Sequence, residues 1–294
     1  MIKVKVPATT ANIGSGFDCL GIALTLYNEF VIEEIEEGLV IEGCDEKYKN
    51  EDNLVYRSIK RCFNEANYNE RGLKITINTK IPESRGLGSS ASCIIAGVVG
   101  ANEIMNRPFN NDNILRLATE IEGHPDNVVP AFLGNTVVSL YEKDRVYYNK
   151  INLAKELKFC ALIPEFTLST EKSREVLPKS VSYKDAVFNV GRVATMISAF
   201  SNGNLELITL GCEDRLHQQY RGGLIEDYDK IVDECRKYSI GTFLSGAGPT
   251  VMNIIKEDDM SFSSNINKYL ATLNKKWSVL ELNVDSTGVM TEIV

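Results

Sequence analysis

The sequence predicts an α+β fold in two lobes. Segments with strand alternation and segments with helical spacing are mixed in both halves of the chain rather than segregated. The 294 residues have the length of about two domains. A polar, charged stretch, Glu142–Lys155, separates the two mixtures and sets the expected domains at residues 1–150 and 151–294.

Taken in order, Lys3–Val6, Ile22–Glu36 and Leu73–Thr79 alternate as half-buried strands do. Between them, Leu54, Val55, Ile59, Cys62, Phe63 and Ala66 fall at helical spacing, with Asp52 or Asn53 as N-cap. Ser90–Glu103 reads as an apolar helix. Asp112–Glu122 reads as another, with Ile114, Leu115, Leu117, Ala118 and Ile121 on its buried side. Thr136–Tyr141 is a strand, and beyond the polar stretch so is Phe159–Ile163. Helices follow at Lys184–Ser201, Leu205–Cys212 and Asp227–Tyr238. Thr242–Leu244 and Val251–Ile255 are strands joined by a Gly-rich turn. A helix near Ser264–Leu273 and a strand Trp277–Val284 complete the chain.

Composition narrows the function. Hydrophobic residues at 44% and charged residues at 24% supply a core and exclude a disordered or fibrous chain. With 32 basic and 40 acidic residues the net charge is −8, which repels nucleic-acid backbones but leaves room for a local small-anion pocket. The opening Met1–Pro7 alternates like a strand rather than a signal peptide. No apolar run approaches the roughly 18 residues of a membrane span. Seven scattered cysteines without a CxxC pair read as reduced thiols of a cytoplasmic protein. The two histidines, His124 and His217, exclude a His-rich metal site.

Three Gly-rich segments stand out. Pro7–Asp18 follows a strand and is either a binding loop presenting Asn12 and Asp18 or a turn. Pro82–Ser92 lies between a strand and an apolar helix. Gly86 and Gly88 let a backbone approach a ligand, and Ser89, Ser90 and Ala91 offer free N–H groups at a helix N-terminus. The serine hydroxyls suit a phosphate oxygen or Mg²⁺. The segment lacks the Gly-Lys-[Ser/Thr] of a Walker A loop and the dinucleotide GxGxxG. A serine N-cap after a glycine turn is the plainer reading, but length and composition favour phosphate binding. Ser245–Thr250 reads locally as a hairpin turn. Three such segments in one chain favour a shared nucleotide site.

In order and spacing these segments resemble the three motifs of the GHMP kinases, a family named for galactokinase, homoserine kinase, mevalonate kinase and phosphomevalonate kinase. Pro82–Ser92 is similar to the family's phosphate loop and Gly246–Thr250 to its C-terminal motif. Pro7–Gly21, Glu122–Val128, Ser169-Thr170 with Arg174, and His217–Arg221 resemble the homoserine kinases within the family. The resemblance implies an N-terminal domain with the ATP loop and a ferredoxin-like C-terminal domain that closes over the nucleotide. It implies phosphorylation of the L-homoserine side-chain hydroxyl by ATP with Mg²⁺, a cytoplasmic step toward threonine. Family members are often dimers, so a homodimer is expected, with no nucleic-acid or membrane partner.

Residue by residue, the resemblance implies that Pro82, Glu83, Ser84, Arg85, Gly86, Leu87, Gly88, Ser89, Ser90, Ala91 and Ser92 wrap the ATP phosphates. Asn53 would lie near adenine. Ser90 and one of Glu120 and Glu122 would hold Mg²⁺, with Glu122 favoured by the motif. Residues two apart on a helix point about 200° apart, so only one of these glutamates faces the metal. Asp18 would meet the substrate ammonium, while Arg174 and Arg221 grip its carboxylate through bidentate bonds. Asn12 would sit near the reacting hydroxyl, with Thr170, His124 and Asp126 lining the substrate pocket. Asn127 and Arg174 would polarise the reacting groups. His217 would pack structurally beside Arg221. Taken singly, each has a plainer role: an N-cap for Asn53, a solvated helix face for Glu122, a surface ion pair for each arginine, a loop residue for His124. A kinase for another small alcohol, or a non-catalytic nucleotide-binding regulator of the same fold, would carry the same loops. Ser90 and Glu122 together favour catalysis.

Overall fold

The computed structural model describes residues 1–153 and 157–294. The first half holds strands β1 (Ile2–Ala11), β2 (Leu20–Ile35) and β3 (Gly38–Glu42), helix α1 (Leu54–Glu65), strand β4 (Gly72–Asn78), helices α2 (Ser89–Ile104), α3 (Asn111–Glu122) and α4 (Pro125–Leu133), and strands β5 (Thr136–Glu142) and β6 (Arg145–Ile151). The second holds β7 (Leu157–Pro164), α5 (Thr170–Glu175), α6 (Tyr183–Asn202), α7 (Leu205–Gly211), α8 (Gln218–Gly222), α9 (Tyr228–Cys235), β8 (Gly241–Leu244), β9 (Val251–Lys256), α10 (Phe262–Leu270), β10 (Trp277–Leu282) and β11 (Met290–Ile293).

The strands form two sheets. A seven-stranded sheet runs β11-β1-β2-β4-β3, with β5 also pairing β2 and β6 pairing β5. A four-stranded antiparallel sheet runs β10-β7-β9-β8. Numbered within its own half, that order is 4-1-3-2, the ferredoxin-like arrangement expected for this part of the chain. The last strand, β11, returns to pair with β1.

Helix α2 is rich in Gly, Ala, Val and Ile and is therefore apolar nearly all round. It can only be buried. Its Ile94, Ile95 and Val98 pack in one core with Val4, Val6, Phe30, Ile32 and Ile75 of the larger sheet. Strand β7 serves two cores through its period of two. Phe159 and Ala161 face one that also holds Ile13, Leu20, Leu87, Phe200 and Phe243. Cys160 and Leu162 face another beneath α9 and α10, with Ile231, Phe262 and Ile266. The first of these joins residues of both sheets, so the Pro82–Ser92 segment is seated on the second sheet through Leu87. No helix among the described residues is long and apolar enough to cross a membrane.

Most expected elements are present with ends shifted by a few residues. The polar stretch Glu142–Lys155 is a correction: it contains β6, and its Ala154 and Lys155 lie outside the described residues. Strand β6 reads as polar because it is an edge strand paired only with β5, with only Val146 and Ile151 buried. Strand β3, helices α4 and α8, and strand β11 are further elements. They are short, and periodicity is weak over so few residues.

Candidate active site

The chain leaves β4, turns through Pro82–Leu87 and enters α2 at Ser89. Gly88, the N-cap, has φ +69° and Gly86 has φ +75°, the left-handed region. A Cβ on Gly88 would overlap Thr9 Oγ1, and one on Gly86 would overlap the Ser245 carbonyl oxygen. Glycine is required at both by torsion and by close approach.

Those approaches knit the three Gly-rich segments together. Thr9 N–H donates to Leu87 O (3.1 Å) and Gly246 N–H to Ala11 O (2.9 Å). Ser245 Oγ donates to Gly86 O (2.6 Å) and lies 2.8 Å from Thr10 Oγ1. Asn12 Nδ2 donates to Gly246 O (2.9 Å), and Asn12 Oδ1 accepts from Asp18 N–H (2.8 Å). Over this floor opens a cavity of about 270 Å³.

Of the loop, Glu83, Ser84, Gly86, Gly88, Ser89 and Ser90 line the cavity. Pro82, Arg85, Leu87, Ala91 and Ser92 do not. Arg85 turns outward and donates through Nε to Pro164 O (2.9 Å) and through Nη2 to Glu165 O (2.6 Å), tying the loop to the end of β7. Leu87 and Ala91 are core residues, because they point inward on the turn and first helical turn. Ser92 Oγ donates to Ser89 O (2.7 Å) and accepts from Asn28 Nδ2 (2.9 Å). The first intrahelical bond of α2 is Ser92 N–H to Gly88 O (2.9 Å). The N–H groups of Ser89, Ser90 and Ala91 precede it and are free for an anion at the positive end of the helix.

Ser90 Oγ donates to Glu122 Oε2 at 2.7 Å, and both line the cavity. Burial pushes the Glu122 carboxyl above the usual carboxylate range, against the opposing pull of the Ser90 hydroxyl and His124. Glu120 faces the other way, paired with Arg61 (2.8 Å) and Arg116 (2.7 Å). The two glutamates are divided as helix geometry requires.

His124 precedes Pro125, the first residue of α4, and lines the cavity with Nδ1 2.6 Å from Asp126 Oδ1. Burial opposes a charged imidazole, but the Asp126 carboxylate outweighs it and Glu122 adds, so His124 holds its proton above the ordinary range. Asp126 is fully buried and sits behind His124 rather than in the lining; its Oδ2 has no partner among the described residues. Asn127 lines the cavity and accepts from Thr9 Oγ1 (2.7 Å).

From the second half, Thr170 and Arg174 stand one turn apart on α5, which Ser169 caps through Lys172 N–H (3.2 Å). Arg174 makes a two-pronged ion pair with Asp18 (2.9 and 3.2 Å). Asp18 thus touches the site through Arg174. Arg221 is buried on α8, donating through Nε to Ser173 O (3.2 Å) and through Nη1 to Gly246 O (3.0 Å). Burial, with the charge of Arg174 adding, pulls its pKa down to about 10. His217 is buried, with Nε2 3.1 Å from Gly14 O.

Asn53 lines the cavity while capping α1: Oδ1 accepts from Val55 N–H (3.0 Å) and Tyr56 N–H (3.3 Å), and Nδ2 donates to Tyr48 O (2.9 Å). The lining also includes Cys44, Tyr48, Ile77, Thr79, Cys93 and Leu168, which no motif in the sequence marks. Cys93 alone carried a signal, three residues after Ser90 on the same helix face. The others come from strand ends and turns that only tertiary pairing assembles.

The GHMP kinases N-terminal domain matches residues 53–135 and the GHMP kinases C-terminal domain matches residues 196–262. Homoserine kinase of Clostridium botulinum strain 657 is 55% identical over 291 residues, covering 99% of this chain and 98% of its own. Homoserine kinase of Clostridium beijerinckii is 48% identical over 292 residues, covering 98% and 97%. The crystal structure of homoserine kinase from Cytophaga hutchinsonii superposes with a TM-score of 0.89 at 26% identity, covering 99% of this chain and 97% of that one. With both halves matched and nearly the whole length shared, the chain belongs to the GHMP kinase family, in its homoserine kinase branch.

Proposed function

We infer that the protein transfers the γ-phosphoryl group of ATP to the side-chain hydroxyl of L-homoserine, giving ADP and O-phospho-L-homoserine, a step toward threonine. One observation carries this: the free N-terminus of α2, the Ser90–Glu122 pair, and the guanidinium groups of Arg174 and Arg221 open onto one cavity. An anion-binding helix end suits the polyphosphate. Two guanidiniums suit a carboxylate, and Asp18 beside Arg174 suits an ammonium. An amino acid alcohol supplies all three groups, and the relatives' names agree.

Phosphoryl transfer asks the protein mainly for positioning and charge neutralisation. Ser84, Gly86, Gly88, Ser89 and Ser90 hold the phosphates, while the surface around Asn53, Tyr48 and Ile77 takes the base. Asn12, Asn127 and Thr170 orient the acceptor, His124 walls its pocket, and Asp126 fixes the His124 ring. Asn127 and Arg174 polarise the reacting groups.

Mg²⁺ takes oxygen ligands and keeps several waters, so one hydroxyl and one carboxylate suffice. Ser90 and Glu122 fit: they already meet, and the raised pKa of the buried carboxylate marks an incompletely compensated charge. Among the described residues no group of three or more His, Cys, Asp or Glu competes as a metal site. When bound, the ion neutralises charge on the transferring phosphates. Residues 1–150 would then carry the nucleotide loop and residues 151–294 the domain that closes over it. A cytoplasmic homodimer is part of the reading, and seven free cysteines support a reducing compartment.

The test is coupled ADP release with ATP, Mg²⁺ and a panel of L-homoserine, D-homoserine, L-serine, L-threonine, mevalonate, shikimate and galactose. Selective turnover of L-homoserine is expected. Turnover of mevalonate or shikimate, which lack an ammonium group, would overturn the role of Asp18, and turnover of galactose, which lacks a carboxylate as well, would overturn those of Arg174 and Arg221 too. Silence with every acceptor despite ATP binding would overturn catalysis itself.

A further inference from the structure

We propose that Phe17 is a positioning residue whose ring holds the Arg174 and Arg221 guanidiniums as a pair for the substrate carboxylate. The inference rests on the carboxylate role of those arginines given above. Phe17 lies between Gly16 and Asp18, in the first Gly-rich segment. The Arg221 Cζ is 5.1 Å from its ring centroid and the Arg174 Cζ 6.0 Å. The His217 ring stacks on it at 5.1 Å with a 20° interplanar angle. One aromatic side chain therefore lies within cation–π range of both guanidiniums and stacks on the histidine beside them.

The two arginines need such a contact to different degrees. Like charges at close range repel, and the charge of Arg174 lowers the proton affinity of Arg221. Arg221 is anchored anyway: it is buried and bonded to two carbonyl oxygens. Arg174 is not. Its side chain is 38% exposed, and Asp18 supplies the ion pair that holds it. Once a substrate ammonium shares Asp18, that hold weakens at the moment Arg174 must grip the carboxylate. The Phe17 ring remains, attracting a guanidinium without competing for its N–H groups.

The ring itself is held in place. His217 Nε2 lies 3.1 Å from Gly14 O, and its Nδ1 lies 3.4 Å from Arg221 Nη1. A neutral imidazole protonated on Nε2 donates to the first and accepts from the second. Burial keeps His217 in that neutral form, pushing its pKa below the ordinary value. The Phe17 plane is thereby set by a stacked, doubly bonded ring.

The experiment is steady-state kinetics of Phe17→Leu, Phe17→Met and Phe17→Tyr beside Arg174→Ala. Phe17→Leu is expected to raise the KM for L-homoserine about five- to tenfold, the loss of two cation–π contacts, with the KM for ATP unchanged. Phe17→Tyr keeps a π-face and should restore the homoserine KM. Phe17→Met, flexible and without a ring, should repeat the leucine result and serves if the leucine variant folds poorly. The inhibition constant of 3-aminopropan-1-ol, which lacks the carboxylate, should not move in any Phe17 variant. A merely structural role would shift it and the ATP KM as well, and would overturn the proposal. So would an unchanged homoserine KM in Phe17→Leu and Phe17→Met while Arg174→Ala raises it. If Arg174→Ala also leaves the homoserine KM unchanged, the carboxylate assignment has failed and takes the proposal with it.

Discussion

The closest packing at the phosphate loop is between Gly88 and Thr9, and it yields a quantitative expectation for Gly88→Ala. A residue other than glycine at φ +69° costs about 1–2 kcal/mol. The smaller unfolded-state entropy of alanine returns about 0.4–1 kcal/mol. The new Cβ would overlap Thr9 Oγ1, so the hydroxyl must move. That hydroxyl donates to Asn127 Oδ1, and both residues are buried, so moving it leaves an acceptor unpaired at a cost of about 1–3 kcal/mol. The total is about 2–4 kcal/mol, a large share of a typical folding free energy. Thr9→Ala loses the same hydrogen bond at about 1–3 kcal/mol. In the double variant the bond is lost only once and the overlap with the hydroxyl is gone. The double variant should therefore cost about 2–4 kcal/mol, short of the sum of the single variants by about 1–3 kcal/mol. Urea denaturation of the wild type and the three variants measures this coupling. Strict additivity would refute the argument, because it would mean that Gly88 and Thr9 do not share one space.

Glu122→Gln should lower kcat/KM by roughly 10³-fold through loss of a metal ligand. The same change should raise the thermal stability of the metal-free protein near neutral pH. The buried carboxyl has a raised pKa, so the native state prefers it protonated, and its charge is destabilising above that pKa. The stability gain should vanish as pH falls below the ordinary carboxyl value of 4.5, and a gain that persists there would contradict this account. His217 has a depressed pKa from burial, outweighing nearby Asp214, so the folded state binds its proton less readily than the unfolded chain. The His217 contribution to stability should therefore decline as pH drops below the ordinary value of 6.5, opposite in sign to that of His124, and His217→Asn should remove that decline from denaturation curves measured across pH 5–7. Arg85→Ala removes hydrogen bonds to Pro164 O and Glu165 O and should cost about 1–3 kcal/mol of stability, read by urea denaturation. It should change ATP affinity by less than about threefold, because the side chain faces away from the cavity; a larger loss would return Arg85 to the phosphates.

What the sequence determined by itself is local. Gly86 and Gly88 declare backbone torsions and close approach, Ser89 and Ser90 declare a helix start, and the unbroken apolar run behind them declares a buried helix. Those choices are made within a few residues by steric and capping forces, so they are legible without a partner. The spacing of Glu120 and Glu122 said that only one faces inward. Which one depended on Arg61 and Arg116 standing ready to pair with Glu120 on the outer surface. Arg85 sits inside the loop motif yet bonds to carbonyls near the end of β7, far away in sequence. Asp18 and Arg174 each stand out in their own segments, but their mutual ion pair across 156 residues is visible in neither segment alone. Cys44, Tyr48, Ile77 and Thr79 carry no motif, and strand register together with the packing of the Glu46–Tyr48 turn brings them to the cavity. Torsion and capping act between neighbours, whereas a cavity wall is set by which distant side chains meet once the sheets and helices pack.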